Sequence, residues 1–318
     1  MFDNLHKNNL HKIIFAMVIA SNLNCGSLMS ARGASLMCLA RYGNVKSIRN
    51  MSKYVDVNND YGPISLMKVS NESGEIIKFF LGHTVDVDIK DQFGRTVLMW
   101  ASARGNVEII QMLLNRDATV NLQDDYGFTA LMCASLTGNL EVIQMLLNRG
   151  ATVNLEDDHG FTALMCASEY GHLDAAKLLL DHGANVGLKD TWGKTALIWA
   201  SQGGHLNVVK LLLDHGAKVD LKDISDKTAL MCASKNGHMD VVKMLLNHGA
   251  NIDLQNKWGK TALMCASKMG HSDVVKMLLA RGANVDLQNK WGKTALMLAS
   301  ENGHSKVVKY LEDNRKAR

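Results

Sequence analysis

The chain has 318 residues, of which 47% are hydrophobic and 21% are charged, and it contains one proline. This composition argues against a disordered chain and favours a fold of many uninterrupted short helices. The net charge is only +4, but residues 91–189 carry 6 Lys and Arg against 12 Asp and Glu, whereas residues 190–318 carry 19 against 12. This polarity indicates an oriented partner rather than general affinity for nucleic acid.

The first apolar stretch is IIFAMVIA at residues 13–20. It is shorter than the ~18 residues that a membrane span needs. A signal peptide would need a basic start and a small-residue cleavage site, yet Asp3 lies in the start region and no clear cleavage site follows. LNCG at residues 23–26 resembles a lipoprotein motif only loosely, because Asn24 stands where a small residue belongs. We therefore expect a buried helix, with a weak signal segment as the alternative.

From residue 91 onward the sequence repeats every 33 residues. Regular spacing of this kind is the signature of a stacked repeat architecture. A threonine recurs at each step, at Thr96, Thr129, Thr162, Thr195, Thr228, Thr261 and Thr294. A glycine recurs between the two predicted helices of each unit, at Gly105, Gly138, Gly171, Gly204, Gly237, Gly270 and Gly303.

Each unit predicts a turn, a short helix, a second helix and an extended return. In residues 124–156, DDYGF predicts the turn, because Asp accepts hydrogen bonds from nearby backbone and Gly127 tolerates unusual dihedral angles. Thr129 is placed to cap the helix ALMCASLT, and Gly138 ends it. The second helix, NLEVIQMLLNRG, has apolar residues at 140, 142, 143, 146 and 147. Neither helix can bury its apolar face alone, so the units must stack.

The run G-x-T-A-L-M-x-A-S, together with G-H-x-x-V-V-K-L-L-L and H-G-A-x-V, resembles the ankyrin-repeat family. The resemblance implies an all-α solenoid of stacked helix-turn-helix repeats joined by extended hairpin-like turns. It divides the chain into an N-terminal partial or capping repeat at 1–32, two degenerate repeats at 33–90 and seven regular repeats at 91–318. The last repeat is expected to be a C-terminal cap, because Glu312 stands where the earlier repeat has Leu246.

The chain also departs from the family's usual Thr-Pro-Leu-His signature. Alanine or valine replaces the proline, and methionine or isoleucine replaces the histidine in every regular repeat, at Met99, Met132, Met165, Ile198, Met231, Met264 and Met297. We expect thioether packing to replace the polar contacts that the family's histidine provides.

The sequence WGKTAL occurs at 192–197, 258–263 and 291–296, and Gly-Lys-Thr also ends the phosphate-binding loop of nucleotide enzymes. That loop needs a glycine five residues before its Gly-Lys pair, where this chain has Leu188, Leu254 and Leu287. Without this glycine the backbone cannot easily close around a phosphate, so we do not predict a nucleotide site.

The cysteines and histidines predict neither a metal site nor catalysis. Cys133, Cys166, Cys232 and Cys265 share a position that other repeats fill with Trp or Leu, which indicates packing. The repeated histidines, at His172, His205, His238, His271 and His304, lie at a helix boundary. An active site needs one asymmetric cluster rather than equal copies. We expect a non-enzyme without cofactor or metal, whose free thiols suit the cytoplasm, with a nuclear location as an alternative and secretion unlikely.

Two series of residues in the turns are candidates for partner binding. The third residue of each unit, here called the turn tip, is Phe93, Tyr126, His159, Trp192, Ser225, Trp258 or Trp291. The fifth residue is Arg95, Phe128, Phe161, Lys194, Lys227, Lys260 or Lys293. Large rings are enriched at interfaces, although neighbouring rings can also pack on each other. Because Ser225 interrupts the rings and Asp226 replaces the turn glycine, we expect the turn at 223–228 to be the least regular.

We therefore predict a monomeric scaffold that binds a partner protein through the concave face and the turn tips, with an acidic partner at the C-terminal end. Lysines about 10 Å apart repel by roughly 0.4 kcal/mol in water, which is too little to disturb the fold but enough to steer an acidic partner. One alternative is nucleic-acid or acidic-ligand binding by the basic C-terminal third, where KWGK at 257–260 interleaves bases with a ring. Another is that the chain is a fragment of a larger ankyrin-containing signalling protein.

Overall fold

A computed structural model describes residues 86–316 of the chain. The expected capping repeat at 1–32, the degenerate repeats before residue 86 and the apolar stretch at 13–20 lie outside the described residues. Within them, residues 93–316 belong to one compact unit.

This unit contains fourteen helices, which form seven consecutive pairs. The first helices of the pairs are α1 Val97–Arg104, α3 Ala130–Thr137, α5 Ala163–Tyr170, α7 Ala196–Gly203, α9 Ala229–Asn236, α11 Ala262–Met269 and α13 Ala295–Glu301. The second helices are α2 Val107–Leu114, α4 Leu140–Asn148, α6 Leu173–Asp181, α8 Leu206–Asp214, α10 Met239–Asn247, α12 Ser272–Ala280 and α14 Ser305–Lys316. The structure thus confirms the predicted all-α solenoid of stacked helix-turn-helix repeats.

Threonine begins every first helix, as the sequence predicts. The Thr129 hydroxyl accepts a hydrogen bond from the Met132 backbone N–H at 3.2 Å, and the same bond recurs in the other six repeats. Such a cap satisfies one of the donors that a helix start leaves free. Gly138 ends helix α3 in the left-handed conformation, with φ 71°. These two local signals fix the length of the first helix.

Small residues allow the first helices of neighbouring repeats to approach closely. Ala134 and Ser135 are completely buried on α3, and the matching alanine and serine of α1, Ala101 and Ser102, are buried as well. On the second helix α4, the predicted apolar face is confirmed in part. Val142, Ile143 and Leu146 are buried, whereas Leu140 at the start of the helix is 44% exposed.

The repeated histidines connect neighbouring repeats. His172 Nε2 lies 3.1 Å from the Leu136 carbonyl oxygen of the preceding repeat, and its ring covers Gly138, where a Cβ would lie 2.5 Å from Nδ1. The same ring-to-carbonyl contact, at 2.8–3.1 Å, is made by His205, His238, His271 and His304. Their role in the described structure is therefore to tie one repeat to the next.

The methionines that replace the family's histidine pack as expected. Met99, Met132 and Met165 are at most 2% exposed, and the Thr96 backbone N–H donates to the Met99 Sδ at 3.4 Å. Met297 is 49% exposed because no following repeat covers α13 in the structure. Thioether packing therefore fills this position wherever a neighbouring repeat closes over it.

The four cysteines of the regular repeats are free thiols. Cys166 and Cys232 are buried, and Cys133 and Cys265 are half-buried. Burial raises the pKa of all four, to about 12 for Cys133 and about 11 for Cys265. Within residues 86–316 no group of three or more His, Cys, Asp or Glu side chains is placed to hold a metal ion.

These thiols should react slowly with a thiol reagent in the folded protein, because the thiolate is the reactive form and burial disfavours it. We expect rapid labelling only after unfolding in urea, measured by mass spectrometry of peptides that contain each cysteine. Labelling of Cys166 in the native protein as fast as in urea would contradict this expectation. Stoichiometric zinc in the purified protein would contradict the packing role of the four cysteines.

Candidate functional site

The turns of the second to seventh repeats are built around their first Asp or Asn. In the second repeat, Asp124 Oδ1 accepts hydrogen bonds from the backbone N–H groups of Tyr126 and Phe128, both at 2.9 Å. The Asp124 N–H donates to the Phe128 carbonyl and the Gly127 N–H to the Asp124 carbonyl, both at 3.0 Å. The side-chain pattern recurs at Asp157, Asp190, Asp223, Asn256 and Asn289. The first residue of the unit therefore fixes the backbone of the turn tip, because its side chain points into the turn and accepts these hydrogen bonds.

Backbone hydrogen bonds join the turns of neighbouring repeats. The carbonyl of each tip accepts from the N–H of the residue before the next tip, at 2.8–3.1 Å. These accepting carbonyls belong to Phe93, Tyr126, His159, Trp192, Ser225 and Trp258. The bonds hold the tip side chains in one continuous series along the repeats, as the 33-residue spacing predicts.

The tip rings differ in how far their neighbours cover them. Trp291 is 60% exposed, Tyr126 41% and Trp258 39%, whereas Phe93, His159 and Trp192 are half-buried. His159 and Trp192 stack with ring centroids 5.4 Å apart.

In the sixth and seventh repeats, a lysine from the preceding repeat covers the ring of the turn tip instead. Lys227 Nζ lies 5.5 Å from the Trp258 centroid and Lys260 Nζ 5.7 Å from that of Trp291. Ring packing and exposed rings thus occur in different parts of the same series.

The fifth residues of the units are not all available for binding. Phe128 and Phe161 are only 3% and 1% exposed, so their inclusion among exposed candidates was wrong. Phe161 packs edge-on against Trp199 with centroids 5.3 Å apart. Trp199 is the tenth residue of the next unit, so the apolar side chain of Phe161 joins the core between two repeats. A lysine at the fifth position can bury its aliphatic chain at this site and extend its ammonium toward the surface.

Arg95 and Lys194, at the fifth position of the first and fourth repeats, instead place their charged groups over the ring of the tenth residue of the same unit. Lys194 Nζ lies 3.6 Å from the Trp199 centroid and donates to Gln202 Oε1 at 3.0 Å, and burial lowers its pKa. In the first repeat, the guanidinium groups of Arg95 and Arg104 lie 4.3 and 4.9 Å from the centroid of Trp100. Burial first, and then the charge of Arg95, lowers the pKa of Arg104.

The turn at 223–228 is regular, contrary to expectation. Asp226 has φ 58° and so adopts the left-handed conformation that Gly193 and Gly259 adopt at the equivalent positions. Its N–H donates to the Asp223 carbonyl at 2.9 Å, and Ser225 accepts from the Lys257 N–H at 3.0 Å. The hydrogen bonds of the turn and of its junction to the next repeat are retained. The missing glycine therefore leaves the geometry of the turn unchanged, and its cost is backbone strain at Asp226.

Replacing Asp226 by glycine should stabilise the protein by about 1 kcal/mol, because glycine adopts φ near +60° without the Cβ penalty. The shift of the urea unfolding midpoint measures this gain. Ser225→Gly, at a neighbouring position without a positive φ, is the matched control and should be destabilising. A destabilising Asp226→Gly would mean that the aspartate side chain makes a contact that matters more than its strain.

Lys235 and Lys268 are functional candidates that the sequence analysis did not single out. Each lies in the last turn of a first helix, α9 or α11. The charges of both contribute to the lowered pKa of Lys260, whose first cause is burial. A signal was present in the sequence, since both are the thirteenth residue of a unit. Only the folded structure shows that their charges lie close enough to act on Lys260, the fifth residue of its unit.

A family model for ankyrin repeats matches the chain in four overlapping segments, at residues 65–157, 120–190, 164–256 and 230–317. The chain belongs to the ankyrin-repeat family. Members of this family are generally protein–protein interaction modules and typically non-enzymatic scaffolds. The matched segments include residues 65–90, where the sequence predicts a degenerate repeat. No curated protein matches this ankyrin-repeat chain.

The helices of the described ankyrin repeats are short. The longest, α14, has 12 residues, so no helix between residues 86 and 316 is long and apolar enough to cross a membrane.

Proposed function

We propose that this chain is a scaffold that binds a partner protein through its concave face and the series of turn tips, with the main contacts at Trp258 and Trp291. The observation that carries the proposal is the exposure of two large rings on turns whose backbone is fixed by hydrogen bonds. A partner would meet rings that are already positioned, so little conformational entropy would be lost on binding. Aromatic side chains placed in this way are frequent energetic centres of interfaces.

The proposal extends to the organisation of the chain and to its location. Residues 1–32 would form a partial or capping repeat, and residues 33–90 would form two degenerate repeats. The free thiols of the regular repeats fit a reducing compartment, for which we propose the cytoplasm. We also propose that the scaffold acts as a monomer, which leaves the turn tips for the partner.

Affinity capture followed by mass spectrometry tests the proposed function. The full chain is compared with a variant in which Trp258 and Trp291 are both replaced by serine, the residue that the fifth repeat has at its tip. A second variant, Leu140→Ser with Met239→Ser, removes exposed apolar side chains from second helices and serves as the control. We expect a protein that the wild type and the control capture and the tip variant does not. Equal capture by all three would place the binding surface elsewhere.

A further inference from the structure

Four lysines form a patch on the fifth and sixth repeats. Lys227 and Lys260 are the fifth residues of their units, and Lys235 and Lys268 lie in the last turns of α9 and α11. Together they are called the lysine patch. Lys235 and Lys268 are exposed, and Lys227 and Lys260 are half-buried. Among the described residues none of the four forms an ion pair, and the positive charges of the other three all act on Lys260.

At the equivalent positions of the neighbouring repeats, the positive charge of the lysine is compensated. In the seventh repeat, Lys293 Nζ forms an ion pair with Glu301 at 2.7 Å. In the fourth repeat, the carboxylates of Asp190 and Asp223 act on Lys194 and oppose the lowering of its pKa by burial, whereas no carboxylate acts on Lys260 in this way. The uncompensated charge is therefore confined to two repeats. A favourable interaction with the helix dipole accounts for Lys235 and Lys268 at helix ends, but it does not account for Lys227 and Lys260.

We propose that the lysine patch binds an acidic, extended segment of a partner protein, which runs across the fifth and sixth repeats beside Trp258 and Trp291. This inference rests on the proposed function, because it names the chemistry of the partner at that same surface. Neighbouring repeats lie about 10 Å apart, a distance that about three residues of an extended chain span. Carboxylates spaced in this way can each meet one pair of lysines, and the partner supplies the missing negative charge.

The geometry favours a peptide over single-stranded nucleic acid. Binding of a single strand depends on bases that stack on aromatic faces. Here Lys227 and Lys260 each hold an ammonium over one face of a tip tryptophan, so that face is already occupied. An acidic peptide needs the ammonium groups themselves and leaves these contacts in place. Glu301 at the end of the patch also interrupts the path that a longer phosphate backbone would follow.

The test uses the full chain and a fluorescein-labelled peptide of about ten residues in which Asp and Glu alternate with Gly and Ser. A peptide with Asn and Gln in place of the acids and a single-stranded oligonucleotide of equal charge are measured in parallel by fluorescence anisotropy. One variant reverses two patch charges, Lys235→Glu and Lys268→Glu. The control reverses two exposed charges on the second helices of the same repeats, Lys243→Glu and Lys276→Glu.

We expect the acidic peptide to bind at low ionic strength, the neutral peptide not to bind, and the patch variant to weaken binding at least about tenfold. The control variant should change the affinity less than about threefold and so exclude an effect of net charge alone. Equal losses in both variants, or no binding of the acidic peptide, would overturn the lysine patch as a site. Tighter binding of the oligonucleotide would assign the patch to nucleic acid. None of these measurements uses a captured partner, so the proposed scaffold function stands or falls separately.

Discussion

Asparagine in place of Asp157 should stabilise the protein at pH 7, whereas the same replacement of Asp190 should destabilise it. Both aspartates begin a turn, are about 95% buried and accept two backbone hydrogen bonds through Oδ1. They differ at the second oxygen. Asp157 Oδ2 has no hydrogen-bond partner within the described residues, whereas Asp190 Oδ2 accepts from the Trp199 indole N–H at 2.9 Å.

The Asp157 effect depends on pH in a defined direction. Burial raises the pKa of Asp157 to about 6, from an ordinary value of 3.8, against the opposing hydrogen bonds from the Phe161 and His159 backbones. The folded state therefore binds the proton more tightly than the unfolded chain, and ionisation destabilises the fold. This cost is complete above pH 6 and disappears as the pH falls toward 4. A difference of about two pKa units corresponds to at most about 3 kcal/mol.

Asparagine keeps the oxygen that holds the turn and removes the charge, as Asn256 and Asn289 show at the equivalent positions. We expect Asp157→Asn to raise the free energy of unfolding by about 1–3 kcal/mol at pH 7 and by much less at pH 4.5. Urea unfolding at the two pH values measures the change. A gain that is equal at both pH values would show that the buried charge is not its source.

Asp190→Asn should instead lower the free energy of unfolding by about 1–2 kcal/mol, although burial also raises the pKa of Asp190. The new amide would point a donor either at the Trp199 indole or at the backbone N–H groups of the turn. One buried donor is then left without an acceptor, and this outweighs the removal of the charge. The same urea experiment gives the comparison. If both variants shift stability in the same direction, the indole contact is not important.

The features that the sequence predicts well are set within one unit. Thr129 and Gly138 act through the backbone of their own helix, so their spacing is enough to place α3. Asp226 was misjudged because the sequence shows a missing glycine but not the hydrogen bonds that still hold the turn in place.

The features that the sequence did not predict depend on contacts across the turn or between repeats. Phe128 and Lys227 occupy the same position, yet one joins the core and the other covers Trp258 in the next repeat. Whether the fifth residue is buried or reaches the next repeat depends on which side chains lie opposite it in the folded turn. The lysine patch has the same origin, since Lys235 and Lys260 belong to different repeats and their charges act on each other only in the stacked array.

Truncation of Trp291 to alanine should weaken binding of the captured partner by about 2 kcal/mol or more, roughly thirtyfold, with little loss of stability. Trp291 is the most exposed tip ring and belongs to the last described turn, where space is open beside Gly292. The Lys260 ammonium lies 5.7 Å from its ring centroid, an interaction that contributes about 0.5–1 kcal/mol at exposed sites. Trp258 is a less clean probe than Trp291, because more than half of its surface is covered and its loss should also reduce stability.

Isothermal titration calorimetry with the purified partner gives the affinity, and thermal unfolding gives the stability of each variant. Lys293→Ala in the same turn is the matched control. Lys293 is ion-paired to Glu301 on the surface, so its loss should mainly affect the association rate and its salt dependence. If Trp291→Ala lowers the melting temperature by several degrees and leaves the affinity intact, the tip rings act in packing alone. In that case the partner must bind the array without them.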